Sequence, residues 1–117
     1  MAAKAVTIYH NPRCTKSRQT LDLLEKNGIE PKVIEYLKDP PNQARVKELI
    51  DMLGIEPHAL LRTGEAEYKK AGLSKQSSKS DVAKAIANHP ILLERPVVVV
   101  GKKAVIGRPP ERVLDLL

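Results

Sequence analysis

Ala5-Val6-Thr7-Ile8-Tyr9, then His10-Asn11-Pro12-Arg13, then Cys14-Thr15-Lys16-Ser17-Arg18: this stretch decides how the chain folds. Its first five residues form a short run rich in β-branched side chains and predict a buried strand. Asn-Pro is a turn signal, and proline fixes its own backbone, so His10 to Arg13 break that strand. From Cys14 or Thr15 to Asn27 the spacing is helical, with Leu21 and Leu24 on the apolar face. Gly28 stands where a helix C-terminus commonly needs a left-handed residue. Lys32-Val33-Ile34-Glu35-Tyr36-Leu37 is a second strand. Strand, turn, helix and strand in this order predict a parallel pair with a right-handed crossover.

Asp39-Pro40-Pro41-Asn42 is a hard stop, and the middle of the chain is helical. Val46, Leu49, Ile50 and Leu53 recur at helical spacing from Ala44 to Leu53, and Gly54 ends the run. Pro57 to Leu61 is a short helix with proline at an early position. Another runs from about Glu65 to Ala71, before Gly72. Ser80 is the expected N-cap of a helix from Asp81 to Asn88, and His89-Pro90 begins the return. Val97-Val98-Val99-Val100 is an unbroken β-branched run suited to a central strand. Gly101-Lys102 turns it into Lys103-Ala104-Val105-Ile106, and a terminal helix covers Glu111 to Leu117. The expected fold is α/β: a small mixed four-stranded sheet flanked by helices, with a helical insertion at about 41–90 between β-α-β and β-β-α halves. That order is similar to the thioredoxin-like layout.

A chain of 117 residues fits one domain with a single core. With no Phe or Trp, that core must be aliphatic. No stretch approaches the about 20 apolar residues that span a bilayer, and Met1-Ala2-Ala3-Lys4 leads into a strand without the apolar run of a signal peptide. The single cysteine cannot close an internal disulfide, which points to a reducing compartment, the cytoplasm by default. The net charge of +6 suits anions in general. Tyr9, Tyr36 and Tyr68 are too scattered for a nucleic-acid stacking platform, and no nucleic-acid-binding motif accompanies the charge. No residues show metal-ligand spacing, and there is no glycine-rich phosphate loop. No nucleic-acid or membrane partner is expected, and no bound metal or nucleotide.

Cys14 lies at or just before a helix N-terminus, where unpaired N–H groups carry roughly half a positive charge. That environment favours thiolate over thiol and is also a ready site for a tetrahedral anion. Arg13, Lys16 and Arg18 add charge nearby, and Arg18, four residues on, can lean back toward Cys14. An unpaired cysteine is most often a small buried core residue. Placement in an Asn-Pro-x-Cys loop between strand and helix favours a nucleophile instead. His10 is a candidate for tuning or shuttling its proton, the alternative being a histidine that merely ends a strand. Arg62, Arg95 and Arg108 sit beside element ends, and their forks match an oxyanion's geometry. Each alone reads as a surface arginine. Arg95 is the strongest of the three, because the expected sheet brings the start of the Val97 strand beside the first loop.

Tyr9 to Arg18, Leu60-Leu61-Arg62-Thr63, Glu94-Arg95-Pro96-Val97-Val98-Val99 and Gly107-Arg108-Pro109-Pro110-Glu111 together resemble the glutaredoxin-linked arsenate reductases, in the same order from about Thr7 to Leu117. The resemblance implies a thioredoxin-like fold in which Cys14 attacks arsenate to give a thiolate–arsenic adduct. Glutathione, as cosubstrate, then displaces oxygen, and glutaredoxin resolves the mixed species with release of arsenite. It implies that Arg62, Arg95 and Arg108 hold the oxyanion and that His10 helps ionise the cysteine. Asn11, Ser17 and Arg18 support the site, and Pro96 is a candidate cis-proline facing the cysteine. A chain with one cysteine cannot finish a two-electron reduction by closing its own disulfide, so it needs an external thiol. Two features depart from the best-known members: Thr15-Lys16 replaces a Gly-Thr pair, and the chain ends at Leu117 where they continue.

Two other functions compete. Some relatives of this fold bind RNA polymerase and sense oxidation through a Cys-x-x-Cys pair. Here Ser17 takes the second cysteine's place, which leaves at most a redox-independent interaction module. A glutathione-dependent thiol exchanger acting on another substrate would keep the thiolate and need fewer arginines.

Overall fold

A computed structural model describes residues 5–117, and Met1 to Lys4, expected to lead into the first strand, lie outside the described residues. The chain divides into two compact units. One extends to Tyr36 and resumes as Arg95–Leu117, and the other is Leu37–Glu94.

The first unit holds β1 (Val6–His10), α1 (Thr15–Lys26), β2 (Lys32–Glu35), β3 (Val97–Val100), β4 (Lys103–Ile106) and a terminal 3-10 segment, Pro110–Leu116. Its four strands lie in the order β2-β1-β3-β4. β1 and β2 run parallel, with Ile8 opposite Val33. A parallel neighbour needs a crossover, which α1 supplies. β3 runs antiparallel to β1, with Tyr9 opposite Val97 and Ile8 opposite Val98. β4 returns antiparallel beside β3, through a turn in which Gly101 has a φ of +62°, a conformation that glycine adopts without steric cost.

Strand alternation puts Val6 and Ile8 on the same face as Val98 and Val100. These residues join Leu24 of α1 and Val113 of the terminal segment in one buried cluster, edged by Leu21, Leu23, Ile29, Val105 and Leu116. Each fully buried aliphatic side chain contributes about 1.5–3 kcal/mol, and the buried Tyr9 and Tyr36 add to the unit outside this aliphatic cluster. All four residues of β3 are buried, as an unbroken apolar run in a central strand requires. α1 ends at Lys26 with Asn27 as its C-cap, and Gly28 just beyond has a φ of +77°, with N–H groups of Gly28 and Ile29 returning to the carbonyls of Glu25 and Leu24.

The second unit holds α2 (Gln43–Leu53), α3 (Ala66–Lys70), α4 (Lys79–Asn88) and 3-10 turns at Pro57–Leu60 and Pro90–Leu92. α2 packs on α4, and both bury their apolar stripes: Val46, Leu49 and Ile50 on one, Val82, Ala85 and Ile86 on the other. The turn segments are tied by an antiparallel bridge between Leu61 and Leu93.

Several boundaries move from the sequence-based expectation. β1 runs on to His10, so the histidine is the last strand residue rather than the first of the loop. β2 stops at Glu35, with Tyr36 fully buried just beyond it. α4 starts earlier than Asp81: Ser78, not Ser80, is the N-cap, because its hydroxyl reaches the Asp81 N–H three residues on at 3.1 Å. The Pro57 segment and the terminal one are 3-10 rather than α, the tighter form common in short pieces.

The stop before α2 is also its cap, since Asn42 Oδ1 accepts the Arg45 N–H at 2.8 Å. Asn42→Ala is expected to lower stability by about 1 kcal/mol in urea unfolding, and to leave the alkylation rate of Cys14 unchanged.

Candidate active site

The loop between β1 and α1 is closed by its own hydrogen bonds. The Cys14 N–H donates to Asn11 O at 3.0 Å, and Cys14 O accepts the Arg18 N–H at 3.0 Å. Asn11 Oδ1 accepts the Arg13 N–H at 3.0 Å. Arg18 folds back along the helix so that Nη1 donates to Pro12 O at 2.9 Å and Nη2 to Thr15 Oγ1 at 3.3 Å. Cys14 is thereby the N-cap of α1, extended at φ −93° and ψ 122°, and partly exposed.

A cysteine in the cap position puts sulfur where a serine or aspartate oxygen would ordinarily satisfy the first N–H groups. The neutral thiol makes no geometrically strict capping bond there. A thiolate benefits most, because the N–H groups aim at its charge. Burial is the largest influence on Cys14 and pushes its thiol up. Against it stand the Ser17 N–H, the positive charge of Arg95, the Lys16 N–H and a hydrogen bond from the Arg95 side chain, and together they hold the thiol below its ordinary value. The Lys16 and Ser17 N–H groups were not singled out from sequence, where only the helix start signals them. Of the basic residues in the loop, none acts on the sulfur through its side chain: Arg18 serves the loop, and Lys16 acts through its backbone.

Ser17 ties the histidine into this arrangement. His10 Nδ1 lies 2.6 Å from Ser17 Oγ, and the same oxygen accepts the Asn11 N–H at 3.0 Å. Both side chains are buried. Burial lowers the His10 pKa, Glu35 pulls it up, Arg18 lowers it, and the balance is below the ordinary value. The shift favours the neutral ring. A neutral ring with its proton on Nε2 accepts the Ser17 O–H at Nδ1, which uses the hydroxyl fully while it accepts from Asn11. His10 is thus a positioning residue: it holds Ser17, whose N–H faces the sulfur.

Arg95 and Arg108 belong to the same unit as Cys14. Antiparallel pairing of Tyr9 with Val97 brings the end of β1 beside the start of β3, and with it Arg95 beside Cys14. The Arg95–Pro96 bond is cis, as the family resemblance implies, and so is Arg108–Pro109. Arg108 Nη1 donates to Arg95 O at 3.2 Å. Arg62 lies in the second unit, half-buried, with Nη1 3.0 Å from Glu65 Oε1. That partner was missed in the sequence, although an acid three residues after a base is its signal. Among the described residues no three His, Cys, Asp or Glu side chains cluster to hold a metal ion, and no helix is long and apolar enough to cross a membrane.

A thioredoxin-like sheet that places a cysteine of lowered pKa beside an arginine defines a site suited to thiol chemistry. More narrowly, the chain belongs to the ArsC family, whose pattern matches residues 9–116. It is 47% identical over 116 residues to the uncharacterized protein YfgD of Escherichia coli K12, covering 97% of this chain and 98% of that one. It is 42% identical over 114 residues to a protein named arsenate reductase from Neisseria meningitidis serogroup A, covering 96% and 97%. The solved structure of the arsenate reductase from Vibrio cholerae superposes with a TM-score of 0.93 at 47% identity, over 99% of this chain and 100% of that one.

Two titrations check this electrostatic account. The rate of Cys14 alkylation by iodoacetamide should rise with pH through a midpoint below that of a free thiol, and Arg95→Ala should move that midpoint up. His10, followed by NMR, should titrate below the usual histidine range. Because the unfolded chain then binds the proton more readily than the folded one, stability should fall as pH drops from the ordinary histidine value through the lower folded one. His10→Asn should flatten that loss.

Proposed function

We propose that this protein reduces arsenate to arsenite, with Cys14 as nucleophile and thiols outside the chain as the source of electrons. The observation that carries the reading is the Arg95 guanidinium beside Cys14, where it helps hold the thiol below its ordinary pKa, in a member of the ArsC family. A thiolate kept charged next to a cation can receive a tetrahedral anion and attack its centre.

In this reading Cys14 sulfur bonds to arsenic and an arsenate oxygen leaves as water. Glutathione displaces a second oxygen. A glutaredoxin thiolate then attacks the glutathione sulfur, and the sulfur–arsenic bond breaks with its electron pair left on arsenic. Arsenic(V) becomes arsenic(III), and the two thiols end as a mixed disulfide. Water releases arsenite and restores Cys14. Arg95 and Arg108 hold the oxyanion from the Cys14 unit, and Arg62 is assigned the same role on the family resemblance. The reading calls for no bound cofactor, with glutathione as a cosubstrate and glutaredoxin as a partner. The cytoplasm supplies both thiols in reduced form, and a lone cysteine suits that compartment. Phosphate has arsenate's shape and charge, so selection comes from the chemistry: only the arsenic centre accepts electrons from thiols.

The test is arsenite production by purified protein with arsenate, glutathione and glutaredoxin. Turnover should vanish in Cys14→Ser. It should fall by about 10²–10³-fold in Arg95→Ala, the scale for removing one donor to developing charge. No arsenite above the Cys14→Ser background, with Cys14 still readily alkylated, would retire arsenate as the substrate. If Arg95→Ala were tolerated while Cys14→Ser abolished thiol exchange, the site would be a plain thiol exchanger.

A further inference from the structure

Thr20 and Gly107 lie outside the chemistry described so far, yet they meet beside it. Thr20 is the second turn of the cysteine helix and is fully buried. Its Oγ1 donates to Lys16 O at 2.8 Å, one turn back toward Cys14, and lies 3.5 Å from Gly107 O. Gly107 joins β4 to Arg108, and its N–H donates to Pro96 O at 2.9 Å. A β-carbon at Gly107 would stand 2.7 Å from Thr20 Oγ1, 3.1 Å from Thr20 Cγ2 and 3.0 Å from Pro96 Cγ. Of the glycines in the chain, the others have open space around that position. Gly107 is therefore required by close approach and not by backbone angle.

Three parts of the site converge on this one residue: the helix that carries Cys14, the Arg95–Pro96 segment, and the backbone leading into Arg108. We propose that the Thr20–Gly107 contact is a positioning device that sets the reach of Arg108, and through its bond to Arg95 O that of Arg95, toward an oxyanion on Cys14. This rests on the reading of Arg95 and Arg108 as oxyanion ligands. Interiors are close-packed, so a contact at this distance transmits a shift rather than absorbing it. The Lys16 and Ser17 N–H groups that favour the Cys14 thiolate belong to the cysteine's own helix. Spacing between helix and arginine segment should therefore change anion binding more than thiolate reactivity toward a neutral reagent.

The experiment measures KM and kcat for arsenate, with glutathione and glutaredoxin, and in parallel Cys14 alkylation by iodoacetamide. In Gly107→Ala the KM should rise about tenfold, since a shift of about 1 Å in a binding group can cost up to a hundredfold, while alkylation at high pH stays within about twofold. Adding Thr20→Ala removes two of the three close atoms and should recover most of the KM. Thr20→Ala alone keeps Gly107 and loses only the buttress, so it should fold in any case and raise KM about threefold. Arsenate turnover unaffected by Arg108→Ala would sink the oxyanion reading itself. Loss on Arg108→Ala with no KM change in Gly107→Ala or Thr20→Ala would overturn the positioning role alone. Equal loss of KM, kcat and alkylation that Thr20→Ala fails to rescue would also overturn it, leaving Gly107 as a residue of general stability.

Discussion

Everything at the cysteine depends on the antiparallel pairing of β1 with β3. The two strands are far apart in sequence, and the register that sets Tyr9 opposite Val97 fixes two consequences at once. The end of β1 becomes the start of the cysteine loop, and the residue two before Val97 becomes its neighbour across the sheet. A slip of one residue would turn every side chain of one strand to the other face. The buried cluster of Val6, Ile8, Val98 and Val100 opposes such a slip. The aliphatic core thus holds the position of Arg95, although it contains no reacting group.

At the sulfur, two opposing effects are settled by geometry. Burial acts on Cys14 more strongly than any other single influence, and in the direction of a neutral thiol. Several smaller contributions outweigh it because they point the same way: two N–H groups from the helix start and one guanidinium from the segment that leads into β3. His10 illustrates the opposite balance. Its burial prevails over the pull of Glu35, and the result is a neutral ring that orients a hydroxyl. One site therefore contains an acid made stronger by polar contacts in spite of its burial and a base made weaker by burial.

The Asn-Pro-x-Cys loop between a β-branched run and a helical pattern was legible in the sequence, because turn chemistry and periodicity are local. So was the valine run as a central strand, and from it the nearness of Arg95 to Cys14. Less was legible where a residue's fate depends on a partner. Arg18 looked suited to the cysteine, but its guanidinium is taken by Pro12 O and Thr15 Oγ1. Ser78 and Ser80 are both good caps by composition, and only backbone direction distinguishes them. Thr20 and Gly107 carry no signal at all, being separated by most of the chain.

The loop's closure on itself has a wider consequence. Asn11 N–H, Arg13 N–H and Cys14 N–H are all donated within the loop or to Ser17. A cradle built from main-chain donors would be the same whatever residues occupied it. Here those donors maintain the loop's shape, and the cation beside the sulfur, Arg95, comes from another segment. A substitution at Arg95 would therefore alter both the charge that faces a ligand and the activation of the nucleophile. The fold thus couples the reactivity of the cysteine to a charge carried on a distant segment, while the loop's own hydrogen bonds keep its shape.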